Sequence, residues 1–223
     1  MRPKLPFIFV IAVLLLASCS ATRPWRKHDA ISYQELGLPA VTQTKSGKNG
    51  DPVNIGFIGR PEEIFIAFAA AGWQPADALT FKTARKVARS VVMKKPYPDA
   101  PVSTLCLFGR PEDLAFEKEV GNSPRQRHHV RLWKTDITAE DRPLWIGGAT
   151  YDRGIYLRKF SHHIAPDVDA ERAALLDEVT RSGNLDHILI VNGIGPTDHG
   201  RNGEGDPYFT DGMIHIGWLK PAP

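Results

Sequence analysis

Several short segments of the chain are mostly apolar, and short apolar runs of this kind are typical of buried β-strands. The segments are residues 53–58, 104–108, 144–151 and 187–191. Apolar residues instead recur every three or four positions after Pro61, over residues 83–93, and from Asp167 or Asp169 to Arg181, which predicts helices. This order of segments predicts an α+β fold: a single domain with a mixed β-sheet and about three packed helices.

The N-terminus has the pattern of an export signal. Arg2 and Lys4 precede an apolar run over residues 7–16, which is too short to span a bilayer. The sequence Leu16-Ala17-Ser18-Cys19 follows and resembles a bacterial lipobox, in which the cysteine is lipidated. The alternative is an ordinary signal peptide that ends near a cysteine.

These features divide the chain into three parts. Residues 1–18 are predicted to be a lipoprotein signal peptide, residues 19–51 a lipidated N-terminus and flexible tether, and residues 52–219 the folded domain. The expected location is the bacterial cell envelope, with the protein held on a membrane by several acyl chains on Cys19. Ser20 after that cysteine matches outer-membrane sorting in enteric bacteria, so the periplasmic side of the outer membrane is expected in a Gram-negative cell.

Composition adds mainly exclusions. The chain has 223 residues, of which 42% are hydrophobic, with 28 Lys and Arg against 25 Asp and Glu. A net charge of +3 is too small to predict a nucleic-acid partner. The only cysteines are Cys19 and Cys106, so no disulfide framework is expected, and Cys106 is predicted to be a buried thiol within a strand.

The richest motif is Ser123-Pro-Arg-Gln-Arg-His-His-Val-Arg-Leu-Trp133. If it is a strand, one face carries Arg125, Arg127, His129, Arg131 and Trp133. The other face carries Gln126, His128, Val130 and Leu132. Several guanidiniums in one row need compensation from an anion or from carboxylates.

This motif, together with Leu107–Lys118, the segment over residues 144–155 and the segment His162-His-Ile-Ala-Pro-Asp-Val-Asp-Ala-Glu-Arg172, resembles the LssY C-terminal domain. The resemblance extends from about Asp51 to Leu219. That domain is otherwise attached to integral-membrane proteins, including type-2 phosphatidic acid phosphatase-like and DedA-like segments. The resemblance therefore implies an envelope location and a link to phospholipid or polyprenyl-phosphate metabolism, but it supplies no catalytic residues.

Two functional hypotheses remain open. In the first, Arg125, Arg127, Arg131 and Arg153 bind a phosphate-bearing envelope lipid or polymer, and His129, His162 and Asp152 hydrolyse it. In the second, the arginines pair with Asp152, Asp167, Asp169 and Glu171 in a buried ionic network, and the domain is a non-catalytic partner of a membrane enzyme.

A metal site is a weaker hypothesis. The pairs His128-His129 and His162-His163 supply suitable ligand types. Adjacent residues of a strand point to opposite faces, however, so each pair offers one ligand at most, and the flanking arginines repel a cation. No zinc-type spacing occurs, and neither a metal nor another cofactor is predicted.

Overall fold

The structure is a computed structural model that describes residues 36–87, 105–121, 123–156 and 161–222. The predicted signal peptide and Cys19 lie outside the described residues.

The described chain forms fourteen strands and three helices. In chain order they are β1 (Val41–Thr44), β2 (Asn49–Pro52), β3 (Ile55–Ile58), α1 (Pro61–Ala70), β4 (Gln74–Pro75), α2 (Ala78–Val87), β5 (Leu105–Leu107), β6 (Arg110–Pro111), β7 (Leu114–Val120), β8 (Ser123–Ala139), β9 (Arg142–Tyr156), β10 (Ser161–Ile164), α3 (Val168–Arg181), β11 (Leu185–Asn192), β12 (Thr197–Arg201), β13 (Pro207–Thr210) and β14 (Met213–Leu219).

Eight strands form the main sheet, in the order β11-β14-β3-β9-β8-β7-β4, with β10 also paired to β9. The pair β14–β3 is parallel, and the other pairs of this sheet are antiparallel. A second sheet has the order β2-β1-β5-β6, and β12 pairs with β13. The predicted α+β domain with a mixed sheet and about three helices is therefore confirmed for the described residues.

Each face of the main sheet carries its own hydrophobic cluster. Helices α1 and α3 contribute Ile64, Phe68 and Leu175 to one cluster, which also contains Val130 and Leu132 of β8. The other cluster contains Trp133 of β8 and Leu105 and Leu107 of the second sheet. The alternation along β8 therefore sends successive side chains into two different environments.

The helix ends follow local capping rules. The side chain of Asp167 accepts a hydrogen bond from Ala170 N, and α3 ends at Arg181, as the sequence predicts. The predicted helix over residues 83–93 begins earlier than expected, because α2 starts at Ala78, and its predicted end lies outside the described residues. The side chain of Asp77 accepts a hydrogen bond from Thr80 N, and this capping signal explains the earlier start.

Two further expectations need correction. The sequence Gly-Arg-Pro at residues 109–111 repeats that at residues 59–61, which predicts a second strand-to-helix turn, but it is followed by strand β7. The predicted flexible tether extends too far, because residues 41–52 contain β1 and β2 and Asp51 is buried. β2 pairs with β1, and β1 also pairs with β5, which is distant in sequence, so a polar composition does not reveal these strands.

Strands β8 and β9 are long and tightly paired. A Cβ atom placed on Gly147 would lie 1.7 Å from the carbonyl oxygen of Arg131, so only glycine permits this approach. No helix of the described residues is long and apolar enough to cross a membrane.

Candidate functional site

The central motif forms strand β8, whose two neighbours are β7 and β9. Arg127, His129 and Arg131 occupy alternate positions of this strand, and their exposed fractions are 3%, 3% and 9%. We call these three residues the basic row. A row so deeply buried must have its charge compensated inside the protein or by a bound group.

Carboxylates from four segments surround the basic row. Glu117 of β7 places Oε2 3.1 Å from Nη1 of Arg127. Asp152 of β9 places Oδ2 3.1 Å from Nε2 of His129.

Two further carboxylates lie beside Arg131. Oε1 of Glu112 is 3.8 Å from its Nε, and Oδ2 of Asp51 is 3.9 Å from its Nη1. Asp51 also accepts a hydrogen bond from Nδ2 of Asn202. Among the described residues, four carboxyl groups therefore face two guanidiniums, and the charge balance of this cluster is acidic rather than basic.

Burial controls the protonation of this cluster. It raises the pKa of Asp51, Glu112 and Glu117, although the neighbouring arginines act in the opposite direction. It lowers the pKa of His129, whose imidazole is therefore neutral at pH 7. Oδ2 of Asp152, 3.1 Å from Nε2 of His129, acts to raise this pKa, but burial and the neighbouring arginines outweigh it.

The structure brings only some predicted site residues together. Arg127, His129, Arg131 and Asp152 lie within one cluster. Arg153 is exposed, at a bulge where the pairing of β9 with β10 skips one residue. The side chains of Arg125 and His162 are outside the described residues.

The other acids predicted to pair with the arginines lie elsewhere. Asp167 caps α3, and Asp169 accepts hydrogen bonds from Thr210 Oγ1 and Asp211 N. Arg172 binds Asp211 through two hydrogen bonds, the main cause of the lowered pKa of that carboxyl group. These contacts fasten α3 to the segment after β13.

Glu171 contacts the other histidine of the motif. Its carboxylate oxygens lie 2.7 and 2.9 Å from Nδ1 of His128, on the face of β8 that carries the helices. This hydrogen bond raises the pKa of His128, in spite of partial burial. The His128 ring also lies 4.8 Å from the ring of Tyr151, centroid to centroid.

A second ion pair flanks this histidine. Lys118 lies opposite His128 on β7, and its Nζ is 2.7 Å from Glu178 of α3. The indole nitrogen of Trp73 donates to the same carboxylate at 2.7 Å. His128 therefore has a buried carboxylate at Nδ1, which leaves Nε2 as the ring nitrogen not engaged by Glu171.

Sequence reasoning missed Glu117, Glu112, Asp51 and the pairing of His128 with Glu171. Glu117 could have been found, since it alternates with the apolar residues Leu114 and Phe116 along β7. Asp51 had no such signal, because its segment is polar and short.

Within residues 36–87, 105–121, 123–156 and 161–222, no group of three or more His, Cys, Asp or Glu is arranged to hold a metal ion. A surface pocket lies beside the start of α3, lined in part by Asp169, Phe209 and Asp211, and includes no residue of the basic row.

Cys106, predicted to be buried, is a free thiol of intermediate exposure.

Comparison with known proteins identifies the family. No curated protein and no solved structure matches the chain. The family model described as LssY C-terminus matches residues 35–214, well over half of the sequence, and this confirms the predicted resemblance. The protein therefore belongs to the LssY C-terminus family.

Proposed function

We propose that the protein is a bacterial envelope lipoprotein whose folded domain is a non-catalytic partner of a membrane enzyme. In this proposal the Arg, His and Asp residues of the central motif form an internal ionic network that fixes the fold. Cys19 supplies the membrane anchor, and the surface of the domain supplies the contacts to the enzyme.

The observation that carries the proposal is the neutralisation of the basic row by buried carboxylates. Arg127 and Arg131 are nine-tenths or more buried, and each lies beside carboxyl groups from other segments. Among the described residues, four carboxyl groups lie beside these two guanidiniums, so a phosphate entering the cluster would compete with acidic partners already in place. His129 is neutral and buried, so it also lacks the access that a general acid or base needs.

The decisive experiment combines one substitution with one ligand. Arg131→Ala removes a guanidinium between Glu112 and Asp51, so these carboxyl groups lose their cationic partner. The substitution is expected to lower the free energy of unfolding by about 3 kcal/mol or more. Phosphate is expected to leave the thermal unfolding of the wild type unchanged at constant ionic strength.

Arg181→Ala is the matched control, because Arg181 forms an exposed pair with Asp177. Its expected cost is about 0–1 kcal/mol. A wild type stabilised by phosphate, together with an Arg131→Ala variant of unchanged or higher stability, would show an anion site and overturn the proposal.

The anchor is tested separately. Cells producing the full chain are labelled with a radioactive fatty acid, and label is expected on the wild type but not on Cys19→Ala. Cys106→Ala, the matched control at the other cysteine, should retain the label. Equal labelling of Cys19→Ala and the wild type would remove Cys19 from the anchoring role.

The partnership with a membrane enzyme has its own test. Lysine-reactive cross-linking in intact membranes is expected to join the wild-type chain to an integral-membrane protein identified by mass spectrometry, and the adduct should be lost with Cys19→Ala. Cross-linked products that contain no integral-membrane enzyme would contradict this part of the proposal.

One observation favours a second candidate function, proton transfer by His128. A histidine whose Nδ1 bonds a buried carboxylate has the orientation used by general bases in hydrolases. Hydrolysis of a phosphodiester such as bis(p-nitrophenyl) phosphate tests this candidate. Activity that is lost with both His128→Gln and Glu171→Gln, but kept in Arg181→Ala, would favour it over the non-catalytic proposal.

A further inference from the structure

Strand β11 forms one edge of the eight-stranded sheet. It pairs along its length with β14, and within the described residues no strand lies on its other side. Such an edge presents unpaired N–H and C=O groups, to which another strand can add.

The side chains of β11 make this edge apolar. Ile188 and Ile190 are 40% and 58% exposed and lie on one face of the strand. Leu189 and Val191, on the other face, belong to the cluster on the side of the second sheet. Between Asp186 and Asn192 there is no Lys, Arg, Glu or Pro, the residues that usually protect an exposed edge from pairing.

We propose that β11 pairs with β11 of a second copy of this chain, antiparallel and centred on Leu189. In this register Ile188 lies opposite Ile190 of the partner subunit, and Asp186 lies opposite Asn192 of the partner subunit. Four isoleucines then meet at the centre of the interface, and no like charges face each other. The same surface serves both copies, as a two-fold symmetric dimer requires.

The neighbouring registers are less favourable. Because backbone groups point outward only at alternate residues, the pairing can shift only by an even number of residues. A shift in one direction places Asp186 opposite an isoleucine, and a shift in the other places Ile188 opposite Asn192. The centred register is therefore the one that pairs apolar with apolar and polar with polar side chains.

This interface is independent of the proposed function of the basic row. Three strands, β14, β3 and β9, separate β11 from β8. A failure of the phosphate and Arg131→Ala experiment would therefore leave the dimer untouched, and the reverse also holds.

Disulfide cross-linking tests the register. The full chain is prepared in detergent with Cys19→Ser and Cys106→Ser, so that introduced cysteines are the only thiols. Residues directly opposite each other have Cα atoms about 4.5–5.5 Å apart, within the range that a disulfide bridges. Diagonal neighbours are about 7–8 Å apart and bridge poorly.

An equal mixture of Ile188→Cys and Ile190→Cys chains is therefore expected to give a mixed covalent dimer on mild oxidation. Each variant alone should give several-fold less, since the identical positions are then diagonal. Asp198→Cys, at a fully solvated residue away from this edge, is the matched control and should not cross-link. Absence of the mixed dimer, or equal yields from all combinations, overturns the proposed register.

Sedimentation equilibrium tests the dimer itself. The wild type is expected to be dimeric at micromolar concentration, and Ile190→Lys should raise the dissociation constant about 100-fold by placing charge in an apolar centre. Asp198→Lys should leave it unchanged. Because Ile190 is exposed in the monomer, the Ile190→Lys variant should unfold at the same temperature as the wild type. This separates a loss of dimer formation from a loss of folding. A wild type that stays monomeric would overturn the dimer and leave the edge to a strand of another protein.

Discussion

His128 and His129 are adjacent in the sequence, yet the fold gives them opposite chemistry. His129 lies on the buried face of β8, between two arginines, and burial lowers its pKa. His128 lies on the face that carries the helices, where the hydrogen bond to Glu171 raises its pKa. Each has a carboxylate within about 3 Å, so proximity to an acid does not explain the difference.

The difference arises from burial and from the neighbouring charges. Glu171 approaches Nδ1 of His128 with both oxygens, and the ring keeps contact with water. Asp152 also acts to raise the pKa of His129, but this ring is almost fully enclosed and lies beside Arg127 and Arg131, which lower it. A nearby carboxylate therefore does not offset the cost of charging an imidazole that is fully buried beside two arginines.

The largest effect on stability is expected from removing an ion pair on the buried face of β8. Arg127→Ala leaves Glu117 without its guanidinium and is expected to lower the free energy of unfolding by about 3–5 kcal/mol, as loss of one partner of a buried pair does. Urea unfolding followed by circular dichroism measures the change.

Arg127→Ala and Glu117→Gln should be far from additive in a double-mutant cycle. A loss below about 1 kcal/mol, in the range of exposed pairs, would mean that the basic row is not held by buried charge.

The next largest effect on stability is expected from changing the partner of His128 on the other face of β8. Glu171→Gln keeps an acceptor oxygen but removes the negative charge of a charged hydrogen bond, which is worth about 1.5–3 kcal/mol. Because the pKa of His128 is raised in the folded state, this contribution is fully present below about pH 6.5 and lost as the pH rises through the raised value.

The cost of Glu171→Gln should therefore be largest at acidic pH and smaller in alkaline solution. Stability of both proteins is compared across this range, with His128→Gln completing the cycle. A cost that does not depend on pH would show that Glu171 acts through packing alone.

The pH dependence of the buried cluster has two opposing parts. The raised pKa of Asp51, Glu112 and Glu117 means that the folded state holds protons that the unfolded state releases, so their effect destabilises the fold as the pH rises from about 4 through the raised values. The lowered pKa of His129 acts oppositely, because its contribution is present above about pH 6.5 and lost as the pH falls through the lowered value.

Removing one carboxyl group separates these parts. Glu112→Gln is expected to flatten the decline in stability between pH 4 and neutrality, because one of the three buried acids is absent. Thermal unfolding over that range measures the slope. An unchanged slope would show that Glu112 is ionised in the folded state without penalty.

The smallest test changes no stability and reads each histidine directly. In a two-dimensional NMR titration, His128 should lose its proton at a higher pH than in the urea-unfolded chain, and His129 at a lower pH. The variants His128→Gln and His129→Gln assign the signals. Identical titration midpoints for the two rings would contradict the difference in pKa between the two faces of β8.

Much of the fold could be predicted because it depends on local patterns. The alternation over residues 125–133 predicts the strand that is observed, and a cap at Asp167 or Asp169 predicts α3, for which the structure selects Asp167. The helix α2 starts earlier than predicted because its capping signal at Asp77 precedes the charged residues of the predicted segment. The strand after Pro111 was missed because the same Gly-Arg-Pro sequence precedes a helix at Pro61 and a strand at Leu114.

The candidate site was predicted only in part. The pattern placed Arg127, His129 and Arg131 on one face, but it could not supply their partners, which come from β2, β7, β9 and the turn before β7. It also ranked His129 above His128, because a row of charges is visible in the sequence whereas the single contact between Glu171 and His128 is not.

The sequence alone determined which residues of β8 share a face, because a strand has a fixed period of two. Its match to the LssY C-terminus family also establishes the kinship of the chain. The tertiary structure decided whether each face is solvent-exposed or buried and which carboxylates contact it, because burial and charge pairing depend on segments far apart in the chain. Those two quantities separate a neutral histidine from a protonated one, and an arginine that binds a ligand from one that holds the fold together.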